Sequence, residues 1–396
     1  MEIATKKLGF KFLKFLESSD WKTFELSNAG SWNYEGRCPA HPQELRSIVL
    51  FSGNGGKDRI FVGCCEICGY IGYKNLPTKE WIHEFYKNTW EDTELLKVKE
   101  SIEKLKAGQD KKSRKIVKFF LNLKLDKSRY VCEIGCGYGG ALNELKKQGF
   151  LNLIGVENSK HRVDFAKSFF GFSVFNTPFE DPETQEELKK KAPFGLIFSH
   201  HVFEHVYDPG ELISCASNLQ NEGDIFAISL PNAKGEFSAS NLFYFPHLHS
   251  FTEHCMTDLL FKYGYEVVDN SFTTKEVLTL ISKKRKNPAV NNFPAINHAE
   301  ATRRKFVNGL GLKNYFFYPR RMWWFRRFDA GGQARFLRNG FLNNIYWSIL
   351  KKVLGFYYKR GNEPIQSMLA EKIKDFSESD APIEIQYDKN IILTYK

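Results

Sequence analysis

The sequence predicts an α/β fold built on a doubly wound, mostly parallel sheet. In the stretch 131–140, a short apolar strand reaches an acidic residue, Glu133, and a glycine-rich turn then opens a helix. The stretch 153–157 is a second apolar strand that ends in another carboxylate, Glu157, about 20 residues further on. From Ile116 onward, strand and helix patterns alternate, which favours a parallel sheet with crossover helices.

The glycine-rich turn predicts a nucleotide-like ligand. Gly135, Gly137 and Gly139 allow sharp backbone turning and leave no side chain between the main chain and a bound molecule. Such a turn serves either a dinucleotide or S-adenosylmethionine. A dinucleotide needs its pyrophosphate at the helix N-terminus, where Glu133 would repel it. A carboxylate suits the ammonium and sulfonium groups of S-adenosylmethionine, so the sequence favours the methyl donor.

Several motifs carry a resemblance to a known family, and they occur in its order. Residues 133–139 resemble motif I of class I S-adenosylmethionine-dependent methyltransferases, and 194–209 resemble the fourth-strand signature of the ubiquinone-biosynthesis-type subgroup. Residues 223–232 resemble the fifth strand, and 246–268 resemble the late histidine and the sixth strand. The resemblance covers residues 110–286 and implies a seven-stranded, Rossmann-like methyltransferase sheet.

The resemblance also implies which residues bind the methyl donor. Glu157 corresponds to the family's ribose-binding acid. The implied set is Glu133, Gly135, Cys136, Gly137, Gly139, Glu157, Asn158, Phe179 and His200. Gly195 departs from the pattern, because the family usually has aspartate before the fourth strand, but it lies outside the cofactor turn.

Histidines are concentrated after the predicted fourth and fifth strands, at the carboxyl edge where ligands of open α/β folds bind. If the acceptor is a hydroxyl group, a base must take its proton, and histidine suits this task at neutral pH. His247 aligns with the family's late histidine and is the leading candidate, followed by His201 and His249. The resemblance implies a loop-shaping role for Glu204 and His205. Some ubiquinone-type enzymes hold a divalent ion near this position, which makes these two residues candidate metal ligands.

A separate group of cysteines predicts a structural zinc site. Cys38 and His41 form one pair and Cys65 and Cys68 form another, each with two residues between its members. This spacing directs both side chains of a pair towards one tetrahedral Zn²⁺. Cys64 is a rival ligand if the second pair is shifted by one residue. The alternative is a set of free thiols beside a surface histidine.

Residues 65–86 resemble the zinc-ribbon leader of a subset of these methyltransferases, several of which act on sugars or cell-surface polysaccharide precursors. The family usually has a second cysteine where this chain has His41. The resemblance therefore implies an N-terminal zinc ribbon and an acceptor of the sugar type. Protein ligands would fill all of the zinc positions, which makes the metal structural.

The segment 303–360 is strongly basic, with 14 lysines and arginines against one acid, Asp329, in a chain of net charge +11. It is rich in aromatic residues over 315–328, and apolar residues recur at helical spacing over 341–354. Three interpretations stay open: a helical extension packed on its own domain, a surface for an anionic membrane, and a grip on single-stranded nucleic acid. Beyond it, the alternating residues 382–395 predict a terminal β-hairpin.

The chain is predicted to contain several modules in succession. They are an N-terminal helix (1–30), a zinc ribbon (31–90), a linker helix (91–114), the S-adenosylmethionine-binding domain (115–286) and a basic, aromatic, helical extension with the hairpin (287–396). No run of about 18 apolar residues predicts a membrane span, and the N-terminus lacks the pattern of a signal peptide. We expect a cytoplasmic protein with reduced thiols, with peripheral contact to the inner membrane surface as an option.

The sequence as a whole predicts an S-adenosylmethionine-dependent methyltransferase that O-methylates a sugar or a cell-surface glycan precursor. Its ligands would be S-adenosylmethionine, structural Zn²⁺ and a small-molecule or glycan acceptor. A rival prediction is an RNA methyltransferase that holds RNA with the ribbon and the basic tail. A third is a non-catalytic scaffold that keeps the fold without turnover.

Overall fold

The computed structural model of the chain describes residues 21–24, 34–53, 58–76, 78–84, 113–121, 123–233, 247–274, 277–290, 292–302, 383–387 and 392–395. Most of the predicted N-terminal helix, most of the predicted linker helix and the basic segment 303–360 lie outside these residues.

Nearly all of the described residues belong to one compact unit. It consists of Met1–Glu236, Leu242–Ala299 and Glu384–Lys396. A second unit, Phe237–Asn241 with Glu300–Ile383, falls largely outside the described residues. The site and the contacts below belong to the first unit.

The strands and helices have the following bounds. The strands are β1 (Trp21–Phe24), β2 (Tyr34–Glu35), β3 (Arg46–Gly53), β4 (Asp58–Cys64), β5 (Ile71–Tyr73), β6 (Asn75–Leu76), β7 (Tyr130–Ile134), β8 (Asn152–Val156), β9 (Ser173–Phe175), β10 (Phe194–His200), β11 (Ile225–Pro231), β12 (His249–Ser250), β13 (Tyr265–Asp269), β14 (Val277–Lys284), β15 (Ile383–Tyr387) and β16 (Ile392–Tyr395). The helices are α1 (Lys79–Glu84), α2 (Gly140–Lys147), α3 (Lys160–Phe170), α4 (Pro182–Lys189), α5 (Pro209–Asn218) and α6 (Glu253–Lys262), and residues 113–121 and 298–302 are also helical. Among the described helices, none has the length and apolar character needed to cross a membrane.

A seven-stranded sheet with the order β13-β14-β11-β10-β7-β8-β9 confirms the predicted fold class. Neighbouring strands from β11 to β9 are parallel, whereas β14 runs antiparallel to both β11 and β13. From β7 the chain continues to β8 on one side, and it later returns to the other side at β10. The strand order therefore reverses at β7, and ligands of open α/β sheets bind outside the carboxyl ends of strands at such a point.

Alternate strand residues face opposite sides of this sheet and fill two cores. On one side, Val131 and Leu153 pack with α2, α3 and the helical residues 113–121. On the other side, Cys132 and Ile154 pack with α4, α5 and α6. Because helices cover both faces, the loops at the carboxyl edge are where a ligand can reach the sheet.

The N-terminal part forms a smaller sheet with the order β12-β5-β4-β3-β15, and β2 pairs with β6. The strand β12 follows β11 in the chain, so a late segment extends the N-terminal sheet. Cys38, Cys65, Cys68 and Tyr70 lie in the same buried cluster as Phe251 and the apolar residues of α6. The predicted ribbon therefore shares a core with one face of the large sheet.

Two predictions for the chain ends are wrong. Residues 21–24 form the strand β1 and not part of a helix over 1–30, because their backbone pairs with β16. The strands β15 and β16 form where the hairpin is predicted, but β15 lies beside β3 and β16 is antiparallel to β1. The edges of β3 and β1 offer backbone donors and acceptors, and pairing with β15 and β16 satisfies them.

Candidate active site and metal cluster

The glycine-rich turn joins β7 to α2 at the carboxyl edge of the large sheet. Gly135, Gly137 and Gly139 have φ angles of 67°, 54° and 75°, in the left-handed region that glycine adopts readily. A Cβ atom on Gly137 would meet no described atom within 4 Å, whereas one on Gly135 would lie 2.4 Å from Cγ2 of Val202. The backbone at Gly137 thus faces open space, and Gly135 brings the turn against the loop after β10.

Glu157, which follows β8, is held by backbone groups of the turn. Its Oε2 atom accepts a hydrogen bond from the Gly137 amide at 2.8 Å, and Oε1 accepts from the Ser159 amide at 2.9 Å. The side chain is buried, and each oxygen has a second lone pair with which it can accept from a ligand hydroxyl. Glu133 is also buried and lies opposite Gly155 in the β7–β8 pairing. The two predicted acids are therefore near the ends of adjacent strands.

The other predicted donor-binding residues differ in their surroundings. Cys136 is buried, and its Sγ atom would lie 2.5 Å from a Cβ atom on Gly155. Asn158 is exposed, and His200 is half-buried at the end of β10. Phe179 is 3% exposed and packs in the hydrophobic core.

The loop after β10 places a histidine beside a buried carboxylate. His201 has a φ angle of 57°, which is uncommon for a residue other than glycine. Its Nδ1 atom lies 2.9 Å from Oε1 of Glu204, and its Nε2 atom makes no hydrogen bond within the described residues. Burial by itself would raise the pKa of Glu204, but the hydrogen bond with His201 and the nearby His205 and His247 outweigh it and lower the pKa to about 2. Glu204 is therefore ionised and orients His201.

His205 and His247 approach the same carboxylate. Their ring centroids are 4.8 Å apart, and Nε2 of His205 lies 3.8 Å from Oε1 of Glu204. One ligand atom from each of these residues lies within 4.8 Å of the others, so the three could hold a metal ion together. Burial lowers the pKa of His247 to about 3 and keeps its ring neutral. A neutral imidazole is the form that accepts a proton or binds a metal.

His249, predicted as a catalytic residue, has both ring nitrogens in hydrogen bonds within the protein. Its Nε2 atom lies 2.9 Å from the carbonyl oxygen of Val206, and its Nδ1 atom lies 2.6 Å from the hydroxyl of Tyr70. Because a carbonyl oxygen only accepts, Nε2 carries the proton and Nδ1 accepts from Tyr70. Burial lowers the pKa of His249 to about 4. With both ring nitrogens in use, His249 has none left for the proton of an acceptor.

The predicted zinc ligands come together, with one ligand atom of each within 4.8 Å of the others. Sγ of Cys38 lies 3.5 Å from Sγ of Cys68 and 3.6 Å from Nδ1 of His41, and Sγ of Cys65 lies 3.9 Å from the same nitrogen. A tetrahedral Zn²⁺ with bonds of about 2.3 Å to sulfur and about 2.0 Å to nitrogen separates its ligands by about 3.5–3.8 Å. The donor set and its spacing therefore fit zinc. Cys64 is outside the cluster, and its Sγ atom contacts the carbonyl oxygen of Cys65 at 3.5 Å.

Two residues of α6 lie beside this cluster, and the sequence reasoning missed both. Oδ2 of Asp258 lies 3.2 Å from Nε2 of His41, where a carboxylate orients a metal-binding histidine. Sγ of Cys255 lies 3.9 Å from Sγ of Cys38. Their spacing of three residues puts them on one face of the helix. That spacing was visible in the sequence, but nothing in it indicated that this face meets the ribbon.

Residues 105–270 match the family model described as a methyltransferase domain. This stretch of the chain is therefore similar to methyltransferase domains. The ubiquinone biosynthesis O-methyltransferase of Coxiella burnetii (strain RSA 493 / Nine Mile phase I) is 31% identical over 102 residues, which cover 25% of this chain and 43% of that protein. The same enzyme from strain Dugway 5J108-111 gives the same values. This chain thus spans less than half the length of these curated relatives.

Solved structures that are similar to part of this chain have lower sequence identity. An S-adenosylmethionine-dependent methyltransferase from Archaeoglobus fulgidus is 19% identical, with a TM-score of 0.34 and coverage of 48% of this chain and 96% of that one. Magnesium protoporphyrin IX methyltransferase from Synechocystis PCC 6803, with bound S-adenosylmethionine, is 14% identical, with a TM-score of 0.37 and coverage of 52% and 96%.

Proposed function

We propose that the protein transfers a methyl group from S-adenosylmethionine to a hydroxyl group of a sugar or glycan precursor. The observation that supports S-adenosylmethionine as the donor is the position of Glu157, whose carboxylate is held beside the glycine turn by the amides of Gly137 and Ser159. A phosphate next to the buried Glu133 would be repelled, whereas a cationic sulfonium compound would be attracted. The match of residues 105–270 to the methyltransferase-domain family supports the same donor.

The chain's own residues divide the binding of the donor between them. S-adenosylmethionine, when bound, supplies an electrophilic methyl group on a positively charged sulfur. Glu157 would accept hydrogen bonds from the ribose hydroxyls, and Glu133 would attract the cationic end. The open backbone at Gly137 permits close approach of the ligand. Because the reaction is an in-line displacement, alignment of the reactants and exclusion of water are the main contributions of the site.

On the acceptor side, His201 is the base that the geometry favours. Its Nδ1 atom is held by Glu204, so the proton of the acceptor hydroxyl would go to Nε2. As the oxygen–methyl bond forms, the sulfur–methyl bond breaks and the sulfur becomes a neutral thioether. His247, the leading candidate from the sequence, has its pKa lowered to about 3 by burial and is a weaker proton acceptor.

The class of acceptor is inferred from separate observations. The curated relatives are named O-methyltransferases, which supports an oxygen acceptor. The sugar class rests on the resemblance of residues 65–86 to the ribbon of sugar-modifying methyltransferases. We further propose a structural Zn²⁺ at the cluster of Cys38, His41, Cys65 and Cys68, whose donors fill a tetrahedral shell without an open position.

An RNA acceptor is a second candidate, because the segment 303–360 carries 14 lysines and arginines against one acid. This segment lies outside the described residues, so charge is the supporting observation. RNA binding would weaken steeply as salt rises, since phosphate contacts release counterions. Anionic vesicles test the membrane alternative: flotation that is lost when this segment is deleted would place it at a membrane surface.

Calorimetry on the full chain tests the donor, and a methyl-transfer screen tests the acceptor. We expect S-adenosylmethionine and its demethylated product to bind, and NAD not to bind. Nucleotide sugars and RNA are then compared for formation of the demethylated product. Turnover with a nucleotide sugar supports the proposal, and turnover with RNA alone replaces the sugar by RNA. A wild-type chain that binds neither S-adenosylmethionine nor its product would overturn the enzyme assignment.

A further inference from the structure

The segment that carries His247, residues 247–252 and here called the histidine segment, is built into the N-terminal sheet. Its strand β12 pairs antiparallel with β5, so that His249 lies opposite Gly72 and Ser250 lies opposite Ile71. On its other side, the amide of His249 donates to the carbonyl oxygen of Glu204 at 3.3 Å. His249 therefore bridges the predicted ribbon and the loop after β10.

Tyr70 makes the side-chain part of this bridge. Its hydroxyl donates to Nδ1 of His249 at 2.6 Å, and Nε2 of the same ring donates to the carbonyl oxygen of Val206 at 2.9 Å. The hydroxyl fits in this position because residue 72 is glycine: a Cβ atom on Gly72 would lie 2.3 Å from the hydroxyl oxygen. A continuous line of hydrogen bonds thus runs from the ribbon through His249 to the loop after β10.

The metal cluster fastens the far end of the histidine segment. Oγ1 of Thr252 donates to the carbonyl oxygen of Cys68 at 2.5 Å and accepts from the Cys255 amide at 3.1 Å, which caps α6. Cys68 and Cys65 are both proposed zinc ligands. The backbone amide of Cys65 donates to the carbonyl oxygen of Tyr70 at 2.8 Å. The turn that would hold the metal therefore also carries Tyr70 and Cys68, the two residues that form hydrogen bonds with the histidine segment.

We propose that Tyr70 is a positioning residue for the histidine segment, and that the zinc-loaded ribbon holds His247 in the acceptor site. The inference rests on the proposed function in one respect, since an acceptor site exists only if the chain is a methyltransferase. Without the Tyr70 hydroxyl, Nδ1 of His249 loses its donor, and the short strand β12 depends on backbone pairing. Glu133 lies on β7, the glycine turn follows that strand and Glu157 follows β8, so donor affinity should be independent of Tyr70.

Hydrogen exchange measured by mass spectrometry on the full, zinc-loaded chain tests this inference with Tyr70→Phe. Loss of one buried hydrogen bond should raise exchange in peptides covering 247–252 by about fivefold to tenfold. The Kd for S-adenosylmethionine should change by less than about twofold. Diethyl pyrocarbonate supplies a side-chain readout, because carbethoxylation of His247 should accelerate when its ring is no longer held beside His205.

Tyr265→Phe is the matched control. Tyr265 is 1% exposed on β13, and its hydroxyl donates to Oε1 of Gln220 at 2.7 Å, away from the histidine segment. This variant removes a buried hydrogen bond of the same kind, so general destabilisation would affect both variants alike. We expect exchange over 247–252 and the reactivity of His247 to stay at wild-type values in Tyr265→Phe.

Metal-free protein, prepared with a chelator under reducing conditions, tests the role of the metal. Faster exchange over 247–252, unchanged donor affinity and reversal by added Zn²⁺ are expected. Unchanged exchange and His247 reactivity in Tyr70→Phe would overturn the inference, as would equal changes in Tyr265→Phe. Unchanged exchange in the metal-free chain would show that the metal has no part in holding the histidine segment. Failure of the wild-type chain to bind S-adenosylmethionine would overturn the proposed function instead, while the exchange result would still report on the segment.

Discussion

The carboxylate of Glu204 holds Nδ1 of His201 at a distance of 2.9 Å, directly after β10 ends. Glu204 is 1% exposed, and its lowered pKa keeps it charged at neutral pH. A buried anion that orients one nitrogen of an imidazole leaves the other as the proton acceptor, which is the arrangement of an oriented general base. This arrangement supports the proposal that His201 is the base.

The first prediction separates the two candidate bases. His201→Gln should lower kcat by about 10²–10⁴, the usual contribution of a general base, while the Kd for S-adenosylmethionine stays nearly constant. His247→Gln should have a smaller effect on kcat, because burial lowers the pKa of His247 to about 3. Formation of the demethylated product with an acceptor from the screen measures both. A larger loss of kcat in His247→Gln would return the role to that residue.

The second prediction concerns the glycine turn. Gly135→Ala should lose donor binding, because its Cβ atom would lie 2.4 Å from Cγ2 of Val202, a branched side chain with little rotamer freedom. Gly171→Ala is the matched control: Gly171 has a φ angle of 69°, close to the 67° of Gly135, but a Cβ atom there meets no described atom within 4 Å.

Gly171→Ala should lose about 1 kcal/mol of unfolding free energy, because alanine is disfavoured in the left-handed region, and Gly135→Ala should lose more because of the contact with Val202. Urea denaturation measures this cost, and calorimetry measures the donor. Gly171→Ala should bind S-adenosylmethionine as the wild type does. Wild-type affinity in Gly135→Ala would show that the turn can shift without harm, contrary to the role given to it here.

The third prediction assigns the zinc ligands. Cys65→Ser should abolish stoichiometric zinc, whereas Cys64→Ser should retain one Zn²⁺ per chain, because Cys65 and not Cys64 belongs to the cluster. Cys255→Ser should also retain zinc, since its sulfur lies beside Cys38 but His41 completes the donor set. Metal analysis by mass spectrometry gives the stoichiometry. Loss of zinc in Cys255→Ser would identify a cysteine in place of His41 as the fourth ligand.

The fourth prediction concerns acid stability. The pKa of His249 is lowered from about 6.5 in the unfolded chain to about 4 by burial. Between these values the unfolded state binds more protons than the folded state, so stability falls as the pH drops from about 6.5 to about 4. Over this whole pH range, the difference in proton binding lowers the free energy of unfolding by about 3 kcal/mol.

His249→Gln keeps a side chain that can form hydrogen bonds but removes the titration. The free energy of unfolding in urea, measured across this pH range, should therefore fall less steeply for the variant than for the wild type. The slopes are compared and not the absolute values, because the substitution also alters the contact with Tyr70. Parallel curves for the two proteins would show that His249 protonates as easily in the folded chain as in the unfolded one.

Elements with local signals were predicted well. The apolar stretches 131–134 and 153–157 correspond to β7 (Tyr130–Ile134) and β8 (Asn152–Val156), and the helix predicted near residue 141 begins as α2 at Gly140. A run of apolar residues, a glycine turn and a helix start lie within a few residues of one another, so their pattern reports the local structure directly. The paired spacing of the zinc ligands is equally local.

Strand partners at the chain ends were not predicted correctly, because pairing is not local. The alternation over 382–395 correctly indicated strands, but the short loop between them suggested that they pair with each other. In the fold, β15 extends the sheet at β3 and β16 pairs with β1. Alternation specifies that a segment is extended, and the available sheet edges decide which strand it joins.

The sequence by itself determined the acids on adjacent strands, the glycine turn between them and the cysteine pairs that fit zinc. The tertiary structure decided how the ribbon, the histidines and the loop after β10 meet. Tyr70 and His249 are 179 residues apart in the chain, and Cys38 and Cys255 are 217 apart. Spacing and periodicity report only neighbours within a turn or a strand, whereas these contacts depend on the order of strands in the sheets and on the face that α6 presents. For this reason the sequence did not reveal that His249, predicted as a base, hydrogen-bonds both the ribbon and the loop of Glu204.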